Sequence, residues 1–563
     1  MIIRSGLAAL FVLGVAAAPV LAQSAPPRLD AAVPDWMEAA RVPAVAIARI
    51  EDGAVIWTRV YGERAPGAAA DETTVFNVAS LTKPLFGVMA LHLVADGRLD
   101  PDGRLADDWV DPDIAGDDRL PKLTPRIALS HQTGFENWRG ARPLAFTFSP
   151  GERHQYSGEG FEYLRRALER RTGRTMPELM QAHVLDAAGM SHTAFGWSAA
   201  FESRAATGFD ETGQTYDMSD RSERQANAAA NTFTTVGDYG RFVAWVAEGA
   251  DLPGPLFAAM ATPQALHDNP TELFGLGWKL APLGDRHLLW HDGREPGVRT
   301  LAFADPRTGD GLVVLTNSSN GELVMRAIVS AATDDGDAWM DSLDAETWRY
   351  LQSLPGAQLG QILQVIARSP SFVSKLLYAA DTTLIEASPL SVAEKSEARA
   401  AIDPFVLAMV RGEVDRPRLE SLLSTLIDTD GGQPRLHDRL TREQALAWKT
   451  GLDLSAAPAA APAPEAPALR PVVEVAPEVL ADYAGDYLVP SSNLRITISV
   501  AGDHLQATAE GIPTVGFYPV SQTRFFMRES ATDFDFVRDA TGAVTGMTII
   551  WDNSRSEFAT RVE

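Results

Sequence analysis

An α/β sandwich built on an antiparallel sheet, followed by a helical segment and a small antiparallel β-barrel, is the fold class that the sequence predicts. Three observations carry it. Strand-like runs open and close the stretch 23–335 with helices between them, an order that makes a sheet closed by both ends of one domain. Apolar residues then recur at helical spacing through 336–454. Beyond an Ala/Pro-rich stretch, short alternating runs separated by turn signals fill 475–563.

Residues 1–22 read as a secretory signal peptide. Arg4 is its positive start, 7–18 its short apolar run, and Val20-Leu21-Ala22 its cleavage site, with Gln23 opening the mature chain. The run is short for a membrane span and Pro19 interrupts it. The expectation is therefore a periplasmic or secreted protein with no stable membrane insertion after cleavage. The runs 44–50 and 54–61 read as strands joined at Glu51-Asp52-Gly53, a hairpin signal. A helix is expected over 80–95, ended by Asp96-Gly97, with Pro84 near its start, where a missing N–H costs little. Two more helices fit 158–190, broken at Thr172-Gly173. Strands return at 288–291, 300–304 and 311–317, and 325–332 is helical again.

From 336 to 454 the helical spacing is clearest in 359–367, 405–410 and 419–427, with no motif of its own. Residues 455–474, Ala/Pro-rich for most of their length, read as a semi-rigid linker. The barrel strands expected after it are 494–500, 504–510, 525–528, 534–538 and 547–551, with turns at Ala501-Gly502-Asp503 and Thr541-Gly542.

A formal net charge of −25 over 563 residues argues against nucleic acid or anionic lipid as partners, since both repel a polyanion. The length exceeds what one core supports. Cysteine is absent, which excludes a cysteine nucleophile, a disulfide framework and a thiolate zinc site. There is no H-E-x-x-H, Walker loop, G-x-S-x-G or dinucleotide fingerprint, so neither metal nor cofactor is expected. His287 and His291 would share a strand face, but a pair without a nearby third ligand is more often packing than a metal site.

Ser80-Leu81-Thr82-Lys83 carries chemistry. Positions i and i+3 of a helix share a face, so hydroxyl and amine can touch. A serine hydroxyl needs a base, and lysine serves once burial or a neighbouring cation lowers its pKa. A helix N-terminus beneath Ser80 would favour a developing oxyanion. Six lysines stand in the chain, and Lys83 alone has a serine three residues before it. The motif is short, and its surroundings decide its weight.

Those surroundings are Phe76-Asn77-Val78-Ala79 before Ser80, then Phe148-Ser149-Pro150-Gly151-Glu152, Tyr156-Ser157-Gly158, and Trp290-His291-Asp292-Gly293 with Pro296-Gly297 behind it. With these in order, residues 35–333 resemble the penicillin-recognising serine hydrolases, the superfamily of class C β-lactamases, D,D-peptidases and esterases. Leu129-Ser130-His131-Gln132-Thr133-Gly134 resembles the loop before that family's second motif, and Gly275-Leu276-Gly277-Trp278 falls in the expected order.

The resemblance implies the α+β sandwich of the serine β-lactamase/D,D-peptidase type. It implies Ser80 as acylated nucleophile, Lys83 as its base and Tyr156 as proton shuttle to the leaving group. His291 takes the place of the third motif's lysine, holding positive charge or a hydrogen bond near the substrate. The backbone N–H groups of Ser80 and Arg294, beside Gly293, would form the oxyanion hole. Gly158 stands where the family usually has asparagine, a departure that points away from efficient β-lactam hydrolysis. Substrates would be peptides or esters. A catalytically weak or silent peptidoglycan- or peptide-binding homologue is the alternative, and homo-oligomerisation stays open.

Lys449-Thr450-Gly451 is a literal copy of the usual third motif, yet it follows a helical run, 441–448, and no strand follows it; a helix end capped by Gly451 is expected there. Tyr483-Ala484-Gly485-Asp486-Tyr487 resembles the start of the lipocalin-like domain appended to many family members. Its implied role is to cover or narrow the site's mouth, against a plain packing or oligomerisation module.

Overall fold

The computed structural model describes residues 25–139, 143–215, 226–264, 273–367, 369–430, 433–456, 472–489, 494–509, 512–527, 532–539, 541–552 and 555–562. The expected signal peptide, 1–22, and most of the linker lie outside them. No helix among the described residues is long and apolar enough to cross a membrane.

The first domain is organised by strands β1 (Ala44–Glu51), β2 (Ala54–Ala65), β3 (Ala68–Ala69), β4 (Phe76–Asn77), β5 (Ala194–Phe195), β6 (Thr232–Thr234), β7 (Leu273–Phe274), β8 (Lys279–Leu283), β9 (Arg286–Glu295), β10 (Val298–Asp305) and β11 (Asp310–Thr316). Eight of them form one sheet in the order β3-β2-β1-β11-β10-β9-β8-β7. The ends of the domain meet at its centre, where β1 pairs antiparallel with β11, Ile47 opposite Val314. Strands β4, β6 and β5 make a small second sheet.

Both faces of the large sheet are covered, which is why β1 reads as a continuous apolar run and not as an alternation. Ala44, Ala46, Ala48 and Ile50 face a core shared with Leu85, Phe86 and Met89 of the Thr82–Ala95 helix and with Tyr239, Phe242 and Val246 of the Val236–Ala247 helix. Val45 and Ile47 face the other way, against Leu29, Val33 and Met37 of Pro27–Ala40 and Val324, Ile328 and Val329 of Glu322–Ala332. The Thr82–Ala95 helix is apolar nearly all round, and residues 82–91 are all buried. Its N-terminus is thereby fixed beside the sheet, where Ser80 stands.

The expected helical segment runs from Gly336–Ser353 to Arg442–Leu452 around Trp348, Leu377, Ile385, Phe405 and Trp448. It also holds a hairpin, β12 (Ile427–Asp430) with β13 (Gln433–Leu436), so the helix expected over 419–427 stops at Ser424 and Ile427 opens a strand. Gly451 is not a helix cap. The helix continues through it to Leu452, because Ala445, Trp448 and Leu452 bury one face across it, and Lys449 pairs with Glu397. Arg326 of the first domain bonds Asp341 and Asp344, and Arg399 bonds Asp341, which ties this segment to the domain's last helix through buried charge.

Beyond the linker, β14 (Gly485–Val489), β15 (Leu494–Ala501), β16 (His504–Ala509), β17 (Ile512–Pro519), β18 (Arg524–Met527), β19 (Asp533–Arg538), β20 (Val544–Asp552) and β21 (Arg555–Val562) close into an eight-stranded antiparallel barrel. Closure removes every free edge. Phe517, Phe525, Phe534, Phe536 and Met547 pack its interior, and the Tyr487 hydroxyl donates to the Tyr483 carbonyl at 2.8 Å.

Candidate active site

The turn that presents Ser80 is held by three side chains and one unusual backbone angle. Ala79 takes a left-handed φ of 47°, sparsely populated for a residue with a Cβ. Its N–H donates to Asn77 Oδ1 at 2.7 Å, and its carbonyl accepts from Thr82 Oγ1 at 2.8 Å. Thr300 of β10 donates to the Val78 carbonyl at 3.1 Å. A 3₁₀ turn, Ala79–Leu81, then leads into the Thr82–Ala95 helix.

Lys83 lies on that helix with Nζ 3.1 Å from Ser80 Oγ and 2.9 Å from the Ala229 carbonyl. It is 1% exposed. Burial first, and then the charge of Lys279, lower its pKa to about 7, against the opposing pull of Asp292 and Glu295. A large neutral fraction at physiological pH follows. The ammonium also stands 4.6 Å over the Tyr156 ring, so Ser80, Lys83 and Tyr156 form one cluster.

Tyr156 precedes the helix Gly158–Thr172, whose N-cap is Ser157, with Oγ accepting from Gly160 N at 3.0 Å. His131 fixes this segment. Its carbonyl accepts from Gln155 N at 2.8 Å, its Nδ1 accepts from Ser157 N at 2.9 Å, and its ring stacks on Tyr156 at 4.3 Å. Accepting at Nδ1 requires a neutral ring, and burial keeps its pKa well below the usual histidine value. The sequence marked this loop only by resemblance and assigned His131 no task.

Gly158 donates its N–H to Asn137 Oδ1 at 2.9 Å. A Cβ there would lie 2.6 Å from the Trp138 ring, so an indole occupies the space a side chain at 158 would need. Gly158→Asn is therefore expected to lower stability by about 1–3 kcal/mol through overpacking, read by thermal or denaturant unfolding. It should not by itself raise nitrocefin acylation. A gain in acylation with stability unchanged would mean that Trp138 swings aside without cost.

Strand β9 supplies the remaining expected residues. Gly293 packs against the nucleophile turn: a Cβ on it would meet Thr300 Oγ1 at 2.1 Å and the Val78 carbonyl at 2.3 Å, so only glycine lets β9 approach Ser80 this closely. His291 is fully buried, and its Nδ1–H donates to the Asp292 carbonyl at 2.7 Å. That bond leaves Nε2 as a bare acceptor. Burial, then Lys279, lower its pKa to about 3. Of the two roles expected for His291, this burial opposes the positive charge and leaves the hydrogen bond open.

The Arg294 side chain is bound elsewhere, to Glu322, which also holds Lys375 of the helical segment, while Phe372 lies 5.4 Å from the guanidinium. Burial raises the Glu322 pKa, but Arg294 and Lys375 outweigh it and hold the carboxyl at about 2. One further cation was missed in the sequence. Lys279 of β8 reaches Asp292 Oδ1 at 3.0 Å and lies 4.7 Å over Trp290 and 5.8 Å from the Tyr156 ring. No group of three His, Cys, Asp or Glu side chains among the described residues could hold a metal ion.

A family model described as Beta-lactamase matches residues 29–334, more than half of the chain. The chain belongs to the Beta-lactamase family. A second model, for a domain of unknown function, matches residues 469–562. A D-aminopeptidase of Gluconobacter oxydans (strain 621H) is 24% identical over 333 residues, 52% of this chain and 58% of that protein. Esterase EstB of Burkholderia gladioli is 28% identical over 188 residues, 27% of this chain and 47% of that protein. The chain thus spans about half the length of the curated relatives it matches. A penicillin binding protein from Bacillus halodurans aligns with 54% of this chain and 99% of its own, at 20% identity and a TM-score of 0.46.

Within this Beta-lactamase family chain, the described cations around the third motif are engaged: Lys279 with Asp292, Arg294 with Glu322. Burial and Lys279 hold the pKa of His291 well below the usual histidine value. Gly158 lies against the Trp138 indole.

Proposed function

We propose that the chain is an exported serine hydrolase that forms an acyl-enzyme on Ser80. The observation that carries this reading is the 3.1 Å approach of a buried Lys83 amine, its pKa lowered to about 7, to the Ser80 hydroxyl. Neutral Lys83 takes the Oγ proton as Oγ bonds to the acyl carbon and the carbonyl electron pair moves to oxygen. The backbone N–H groups of Ser80 and Arg294 receive that oxyanion. Collapse expels an alkoxide or amine, which takes its proton by way of Tyr156. Water then cleaves the Ser80 ester by the same route in reverse. Export rests on the signal-like residues 1–22.

The substrate is an ester or peptide that brings no carboxylate to the third motif. Neutral His291 and the two engaged cations support this, as do the names of the D-aminopeptidase and esterase relatives. A carboxylate left without a charged partner forgoes about 1.5–3 kcal/mol, roughly ten- to a hundredfold. A p-nitrophenyl ester or an aminoacyl amide is therefore expected to exceed nitrocefin in kcat/KM by about tenfold or more on the same purified enzyme. Nitrocefin turnover above both would overturn the substrate assignment. No turnover of any of the three, with no acyl-enzyme trapped, would favour the binding homologue.

A further inference from the structure

His291 is neutral at the place where the third motif ordinarily carries an ammonium, yet a buried ammonium stands close by on the neighbouring strand. Lys279 is 7% exposed, lies in β8 opposite Trp290 of β9, and is within 6 Å of the Tyr156, Phe274 and Trp290 rings. Its partner, Asp292, sits next to His291 within the third motif itself. An aspartate beside the nucleophile's base works against that base's neutral form unless a cation balances it.

We propose that the Lys279–Asp292 pair is a positioning device of this site: Lys279 sets a positive charge of β8 beside the Lys83 base, and Asp292, its ion-pair partner on β9, limits how strongly that charge acts on Lys83. The inference rests on Lys83 being the base for Ser80. Lys83 is faced by Ser80 on its own turn, by Tyr156 and Phe161 from the second-motif helix and its approach, and by His131 from the preceding loop. From the sheet it is faced by His291, Asp292 and Glu295 of β9 and by Lys279 of β8. Both histidines are neutral, so the fixed charges acting on Lys83 are Lys279, Asp292 and Glu295.

Opposite signs follow. Lys279 favours neutral Lys83, so Lys279→Met should move the acid limb of the reaction to higher pH. Asp292 favours protonated Lys83, so Asp292→Asn should move it to lower pH. Charges at this range in a partly buried site act over roughly half to one pH unit. Lys279→Arg keeps the charge and should leave the limb near the wild-type position.

The experiment is the pH dependence of the rate of inactivation by a fluorophosphonate, which needs no natural substrate, with the fold of each variant checked by circular dichroism. Shifts in opposite directions, with Lys279→Arg restoring the limb, support the proposal. Unchanged limbs, or shifts in the same direction, overturn it while leaving the Ser80–Lys83 reading intact. A wild-type enzyme that shows no acid limb near pH 7 contradicts that underlying reading instead. Should Asp292→Asn fail to fold, Lys279→Met against Lys279→Arg still decides: equal profiles overturn the proposal.

Discussion

Ser80→Ala is expected to abolish turnover, with kcat falling on the order of a millionfold, the loss seen when a serine nucleophile is removed from an acyl-enzyme mechanism. The fold should survive. The Ser80 hydroxyl accepts from Lys83 Nζ, and the turn itself is tied by Asn77, Thr82 and Thr300. Lys83 keeps its bond to the Ala229 carbonyl when the hydroxyl is gone. Unfolding stability should therefore stay within about 0.5–1 kcal/mol of wild type. Steady-state kinetics on any genuine substrate, beside a denaturation curve, checks both halves. Wild-type turnover in a folded Ser80→Ala protein would remove the nucleophile assignment.

Lys83→Arg should fail almost as badly as Lys83→Ala. A base must be able to lose its proton, and arginine does not do so in proteins. The guanidinium is also larger than an ammonium in a pocket 1% exposed and closed by Tyr156 and Phe161. Because burial and Lys279 lower the Lys83 pKa from 10.5 to about 7, the amine is protonated below that pH and free above it. Wild-type kcat/KM should accordingly rise with pH through about 7, and both variants should lack that limb. Lys83→Arg with a substantial fraction of wild-type activity would leave Lys83 a positional role only.

Local spacing made much of this legible. The serine and lysine three residues apart on an apolar helix implied contact, and they lie 3.1 Å apart. The runs 44–50 and 311–317 read as strands that close one domain from both ends, and they pair at the centre of the sheet. What escaped depends on pairing between elements. Nothing in the spacing of Lys279 and Asp292 reveals that the β8–β9 register brings them to 3.0 Å. Nor does a glycine at 158 announce that an indole twenty residues earlier fills its space. The tie from Arg294 through Glu322 to Lys375 crosses from one domain to the next. Gly451 misled for a different reason: glycine after a helical run often caps it, but burial of Trp448 and Leu452 outweighs the roughly 1 kcal/mol a mid-helix glycine costs.

The most direct test of the central claim is covalent labelling of the purified protein with a fluorophosphonate, read as intact mass and then mapped to a peptide. One adduct per chain, located on Ser80, absent from Ser80→Ala and strongly slowed in Lys83→Arg, is the expected result. An adduct on any other residue, or labelling of Ser80→Ala at the wild-type rate, would contradict it.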